Sequence, residues 1–173
     1  MRPPDHIADR VRFRRLYEHT CLHLLRYVTR TIGNVAIAED IVQETYVRSL
    51  AARTLPVNED EARAYLFRVA SNLMVDYWRQ RKRIRNRQHE PEDHVAIADP
   101  ARGIDVSRIF HHLKPQERQL VWLAHVEGED HISIARILSL KPASVKVLLH
   151  RARSRYADLL RDAGYEHSGE INP

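Results

Sequence analysis

The sequence predicts an all-α protein of two small helical domains joined by a flexible linker. Apolar residues recur at i, i+3, i+4 spacing along most of the 173 residues, the pattern of helices with one buried face. No segment alternates apolar and polar residues like a half-buried strand, and glycine is scarce at five residues. One stretch, 89–104, loses the periodicity and gathers prolines and acids, which marks a flexible acidic linker. The boundaries that follow are a first domain over 1–88, the linker, a second domain over 105–162 and a tail over 163–173.

The first helix is expected from about Asp9 to Ile32, with Phe13, Leu16, Tyr17, Leu24 and Val28 as its apolar stripe. Gly33 reads as the residue just past its end and Asn34 as the cap of the next helix. That second helix is expected over Val35–Arg53. Ala38, Ile41, Val42, Thr45 and Leu50 should face inward, leaving Asp40, Gln43, Glu44, Val47 and Arg48 as an outer strip. Such a strip is either a solvated face carrying a Glu44–Arg48 pair or a docking face for another protein's helices. Asn58 and Glu61 have the spacing of a capping box and start the third helix.

The third helix has three parts. Leu66, Val69, Ala70, Leu73 and Tyr77 make a core stripe, while Arg68, Asn72, Asp76 and Arg79 make a polar one. Its end carries Arg79, Arg81, Lys82, Arg83, Arg85 and Arg87 with no acid among them. A run of this kind attracts phosphate, although a solvated helix end has the same composition.

In the second domain, Val106, Ile109, Phe110 and Leu113 form a short amphipathic segment, and Pro115 suits the first position of a helix ending near Gly128. Asp130 caps a helix of about eight residues ending at Leu138, Ser139–Lys141 is a turn, and Pro142 opens a long helix. This is helix-turn-helix spacing. Ile134, Leu138, Leu140, Val145 and Leu148 or Leu149 supply the apolar crossing, and Ala135 is small where the helices come closest. The outer face of the second helix carries Ser144, Lys146, His150, Arg151, Arg153 and Arg155. A helix of this type lies in the major groove, its N-terminal residues near base edges and its cations on phosphates.

Composition narrows the function further. Apolar residues at 43 % suffice for a core, and a net charge of +5 favours polyanionic partners. A single cysteine, Cys21, excludes an internal disulfide framework. The first ten residues lack an apolar signal core and no run is long enough to cross a bilayer, so a cytoplasmic location without membrane insertion is expected. His19 and His23 have helical metal-clamp spacing but no third ligand, so no metal is expected. With no glycine-rich phosphate loop and no nucleophile beside a base, neither a catalytic residue nor a cofactor is expected.

Three stretches in order, AEDIVQETYVRSL, AYLFRVASNLMVDYWRQRKR and LKPQERQLVWLAHVEG…ISIARILSLKPASVKVLLHRAR, resemble the extracytoplasmic-function (ECF) sigma factors of bacterial RNA polymerase. The resemblance covers roughly residues 10–160, and NLMVDYWR also resembles the iron-uptake subgroup. It implies sigma region two and sigma region four, and as partners the polymerase core, promoter DNA and an anti-sigma factor. Asp40, Gln43, Glu44, Val47 and Arg48 match the strip that docks on the polymerase clamp. The loop Arg53–Asp60, with Arg68 and Asn72, matches the region holding a flipped minus-ten base, and Arg79, Arg81, Lys82 and Arg83 would hold the promoter backbone. Tyr65, Phe67, Tyr77 and Trp78 are stacking platforms or core. Ser144, Lys146, His150, Arg151 and Arg153 fall on the minus-thirty-five reading helix. The chain departs from the family at Ser139, where glycine is common, at Lys141, where serine often caps, and at Val147–Leu148, where Ser-Arg is common. Alternatives are a sigma mimic acting through protein binding and a free-standing helix-turn-helix regulator.

Overall fold

The computed structural model describes residues 6–51, 55–88 and 106–165, and the linker falls outside them. Seven helices account for the regular structure of these residues: α1 (His6–Ile32), α2 (Val35–Ala51), α3 (Glu59–Gln88), α4 (Val106–His111), α5 (Pro115–His125), α6 (His131–Leu138) and α7 (Pro142–Asp162).

Local chemistry sets their ends. Gly33, at φ 85°, closes α1, and the Asn34 side chain accepts the Ile37 N–H at 3.1 Å to start α2. Asn58 accepts the Glu61 N–H at 3.0 Å before α3, and Asp130 accepts the Ser133 N–H at 2.7 Å before α6. Pro115 and Pro142 stand in the first turns of α5 and α7, where the missing N–H costs nothing.

Helices α1, α2 and α3 form a three-helix bundle around Leu24, Tyr27, Val28, Ala38, Leu66, Phe67, Ala70 and Met74. Helices α5, α6 and α7 form the second unit around Leu120, Leu123, Ile134, Ile137 and Val145, with α4 against α7. Ile134, Ala135, Val145 and Leu149 are buried where α6 crosses α7, so the helix-turn-helix has the expected interior. The two units also pack on each other. Helix α3 lies against α6 and α1 against α5, and one apolar core runs through both.

Some inward and outward assignments differ from the sequence pattern. Tyr17 is 45 % exposed, and Tyr27, one stripe round, is fully buried with its hydroxyl 2.9 Å from Ser71. The cause is that α2, α3 and α5 all contact α1, which turns its buried arc toward Thr20, Leu24, Tyr27 and Thr31. Leu50 is 57 % exposed because Ser49, seven residues after Val42, continues the buried stripe and donates its hydroxyl to the Thr45 carbonyl. Helix α2 is described to Ala51, and residues 52–54, which include the expected end at Arg53, lie outside those described.

Candidate nucleic-acid and protein-docking surfaces

The outer strip of α2 faces solvent. Asp40, Gln43, Val47 and Arg48 are exposed, Glu44 is half-buried, and the Arg48 Nε donates to Glu44 Oε1 at 2.6 Å. Behind it Ala38, Ile41, Val42, Thr45 and Tyr46 are buried, and the Tyr46 hydroxyl sits 2.8 Å from Thr20 Oγ1. Burial pushes the Tyr46 phenol up to about 12, so it stays a neutral hydrogen-bonding group. The strip is therefore carried on a rigid back. Leu50 joins it, three residues after Val47, and adds an apolar contact that the helical pattern had assigned to the core.

The polar edge of α3 is the second surface. Arg68 is half-buried, with its guanidinium 5.2 Å from the Tyr65 ring centre, and Asn72 is exposed. Pro56, Glu61, Ala64, Tyr65 and Arg68 line a cleft with Arg136, which comes from α6. Arg12 of α1 donates to the carbonyls of Leu55 and Pro56 at 3.0 and 3.1 Å and holds the wall of that cleft. Asn72 lines a second cleft with Ser71, Val75 and Trp78, facing Pro115, Gln116, Gln119 and Leu138 of the other unit. Phe67 is fully buried and is a core residue, whereas Tyr65, Tyr77 and Trp78 are half-buried. Past them Arg79, Arg81, Lys82 and Arg83 are all exposed, Arg79 with Asp76 at 3.6 Å and Arg81 donating to the Tyr77 hydroxyl at 3.1 Å.

The third surface is α7. Val145, Leu149 and Ala152 are buried, which turns Lys146, His150, Arg151 and Arg153 to solvent and leaves Ser144 half-buried. Val147 is 50 % exposed among them, an apolar side chain on an otherwise polar face. The turn before α7 holds Ser139 at φ 54° and ψ 42°, left-handed geometry that a glycine adopts without strain. No side chain caps α7 at Lys141. Among the described residues no group of histidines, cysteines and acids could hold a metal ion, and no helix is long and apolar enough to cross a membrane.

A three-helix bundle with a cationic helix end, packed on a helix-turn-helix with a cationic second helix, defines a class: two-unit helical proteins built around a helix-turn-helix. Comparison with known proteins makes this specific. The family model for sigma-70 region 2 matches residues 16–84, and that for sigma-70 region 4 matches residues 104–155. The chain belongs to the sigma-70 family, in its ECF branch. It is 31 % identical over 156 residues to the ECF RNA polymerase sigma factor SigE of Mycolicibacterium smegmatis, covering 84 % of this chain and 58 % of that protein. SigL of Mycobacterium tuberculosis is 29 % identical, with 84 % and 86 % covered, and the RNA polymerase sigma-E factor of Streptomyces coelicolor is 31 % identical, with 79 % of each covered. The chain thus spans less than two thirds of some curated relatives and most of others. Among solved structures, the sigma factor RpoE of Bartonella quintana, in complex with the anti-sigma factor NepR, has the same fold at a TM-score of 0.72 and 22 % identity, covering 86 % of this chain and 96 % of that one. The PhyR–NepR complex of Sphingomonas sp. Fr1 matches at a TM-score of 0.63 and 18 % identity, covering 92 % and 96 %.

Proposed function

We propose that this chain is a promoter-specificity subunit: it binds the core of bacterial RNA polymerase, directs it to particular promoters and assists their opening. It acts in the cytoplasm, and the polymerase supplies the chemistry. The observation that carries this reading is the exposed Asp40–Arg48 strip on a sigma region 2 fold, in a chain that also holds region 4. A DNA regulator acting alone has no use for such a strip.

Residues 1–88 serve core and minus-ten binding, and residues 105–162 serve minus-thirty-five binding. Asp40, Gln43, Glu44, Val47 and Arg48 dock on the core, with Leu50 extending the contact. Arg68 and Asn72 receive an unstacked base, since a guanidinium and an amide can both pair with a base edge and unstacking costs only a few kcal/mol. Arg79, Arg81, Lys82 and Arg83 neutralise promoter phosphates, which fixes position without reading sequence. On α7, Ser144, Lys146 and His150 reach base edges while Arg151 and Arg153 hold the backbone. Val147 offers methyl groups to thymine methyls, an apolar contact available only in the major groove. An anti-sigma factor is the natural regulator, a reading supported by the complex of RpoE, a protein of the same fold, with the anti-sigma factor NepR.

A second reading is a sigma mimic that binds a partner protein without directing transcription. Its support is the fold shared with PhyR, described as an anti-anti-sigma factor. Run-off transcription with purified core on genomic promoter fragments separates the two. The subunit reading predicts promoter-dependent transcripts that disappear when Asp40 and Arg48 are both changed to Ala. A chain that never yields a transcript contradicts it.

A further inference from the structure

Two adjacent side chains of α5 bury N–H groups that have no acceptor among the described residues. Gln119 is 2 % exposed, and its amide Nε2 makes no hydrogen bond. The Tyr27 hydroxyl is close enough to feel this amide, but it is already paired with Ser71 Oγ at 2.9 Å, and no bond to Nε2 closes. Arg118 Nε is buried and unpartnered in the same way. The Arg118 Nη1 donates to His111 Nδ1 at 2.7 Å, and the guanidinium lies 5.9 Å from the centre of the Trp78 ring. Burial lowers its pKa to about 10, and no carboxylate among the described residues pairs with it. Burying an N–H without an acceptor is costly, so two side by side mark a place where an acceptor belongs.

Gln119 lines a cleft of about 170 Å³ between α3 and the second unit. With Ser71, also 2 % exposed, it forms the floor, and the exposed Asn72 and Gln116 stand at the mouth. Trp78, Val75 and Leu138 supply apolar walls. A cavity of about 150 Å³ holds one benzene ring, so this cleft has room for a single ring with a short polar substituent. Its surroundings favour negative charge. Pro115 and Gln116 are the first turn of α5, no side chain at Lys114 caps that helix, and its end carries a partial positive charge. The neighbouring acids are engaged elsewhere: Glu117 accepts the Lys114 N–H at 2.8 Å and faces Arg155, while Asp76 faces Arg79 at 3.6 Å.

We propose that this cleft binds a small aromatic carboxylate, with its ring against Trp78, Val75 and Leu138 and its carboxylate accepting from Gln119 Nε2 within the field of Arg118. The carboxylate supplies the acceptor that Gln119 lacks and the counter-charge that Arg118 lacks, and the ring covers the apolar walls. A neutral ring amide offers the acceptor without the charge. The walls come from both units, so the site belongs to the chain as it is folded here. The inference does not rest on the function proposed above.

The test is fluorine NMR on the full-length chain at constant ionic strength, with para-fluorobenzoate as the probe and para-fluorobenzamide as its neutral counterpart. The benzoate should bind with a Kd of about 1 mM or below, the strength that about ten non-hydrogen atoms can supply. The benzamide should bind about tenfold more weakly or worse. Gln119→Met keeps the side-chain length and removes the donor, so affinity for the benzoate should fall about tenfold or more. It should fold at least as stably as the parent, since the unmade bond goes with the amide. Val75→Phe fills the cleft from its wall and should abolish binding at parental helicity, which carries the test if Gln119→Met folds poorly. No binding at about 10 mM probe means a cleft that holds only water, and it overturns the proposal. Equal affinity for benzoate and benzamide removes the charge preference and overturns it too. Equal binding by the parent and both variants puts the probe on surface cations and overturns it as well.

Discussion

Two Glu–Arg pairs of this molecule have the same chemistry and opposite settings. Glu44 and Arg48 meet at 2.6 Å on α2, with side chains 46 % and 55 % exposed. Glu127 and Arg63 meet at 2.8 Å between the units, with side chains 1 % and 27 % exposed. Water screens the first pair, so it contributes little to stability and its charges remain available to a partner. Water hardly reaches the Glu127 carboxylate of the second, so its charge is committed to its protein partners, while Arg63 keeps Glu129 as a further partner. Exposure rather than geometry separates a surface that recruits from a contact that restrains.

The largest expected effect breaks the buried pair. Glu127→Ala should destabilise the chain by about 1–3 kcal/mol in urea unfolding, the cost of leaving the half-buried Trp122 N–H and one side of the Arg63 guanidinium without an acceptor. Arg48→Ala is the matched control. It should shift stability by no more than about 0.5 kcal/mol while lowering run-off transcription with core. Equal destabilisation by the two substitutions would erase the contrast. The smallest effect lies in the turn of the helix-turn-helix. Ser139 occupies left-handed backbone, so Ser139→Gly relieves strain that glycine's greater flexibility offsets only in part. A gain of about 0.5–1 kcal/mol in thermal unfolding is expected, and a loss would mean that the serine side chain does something the backbone geometry does not show.

What the sequence made legible was mostly local. Asn34, Asn58 and Asp130 accept the N–H groups their spacing promised, and Pro115 and Pro142 open their helices, because a cap depends on residues three or four apart. The helix-turn-helix core was legible for the same reason, from the run between Ile134 and Leu149. The outward strip of α2 followed from helical period, but its apolar end did not, since Leu50 stands one step off the buried stripe. Period alone misplaced Tyr17 and passed over Tyr27, because three neighbours share α1 and the buried arc is wider than one stripe. Arg63 and Glu127 are 64 residues apart, and neither carries a local sign of the other. Nothing in spacing or charge indicates that two units, expected to sit apart on DNA, close on a single buried carboxylate.

The two units pack on each other in the structure, and the proposed function requires them to part on a promoter. The direct measurement is the distance between one fluorophore at Glu18→Cys on α1 and another at Arg161→Cys on α7, with Cys21 changed to Ser, for the chain alone and then bound to polymerase core and promoter DNA. A short, narrowly distributed distance is expected in the free chain, lengthening by tens of ångströms in the complex, on the scale of the roughly 85 Å between the two promoter elements. The same distance in both states would contradict it.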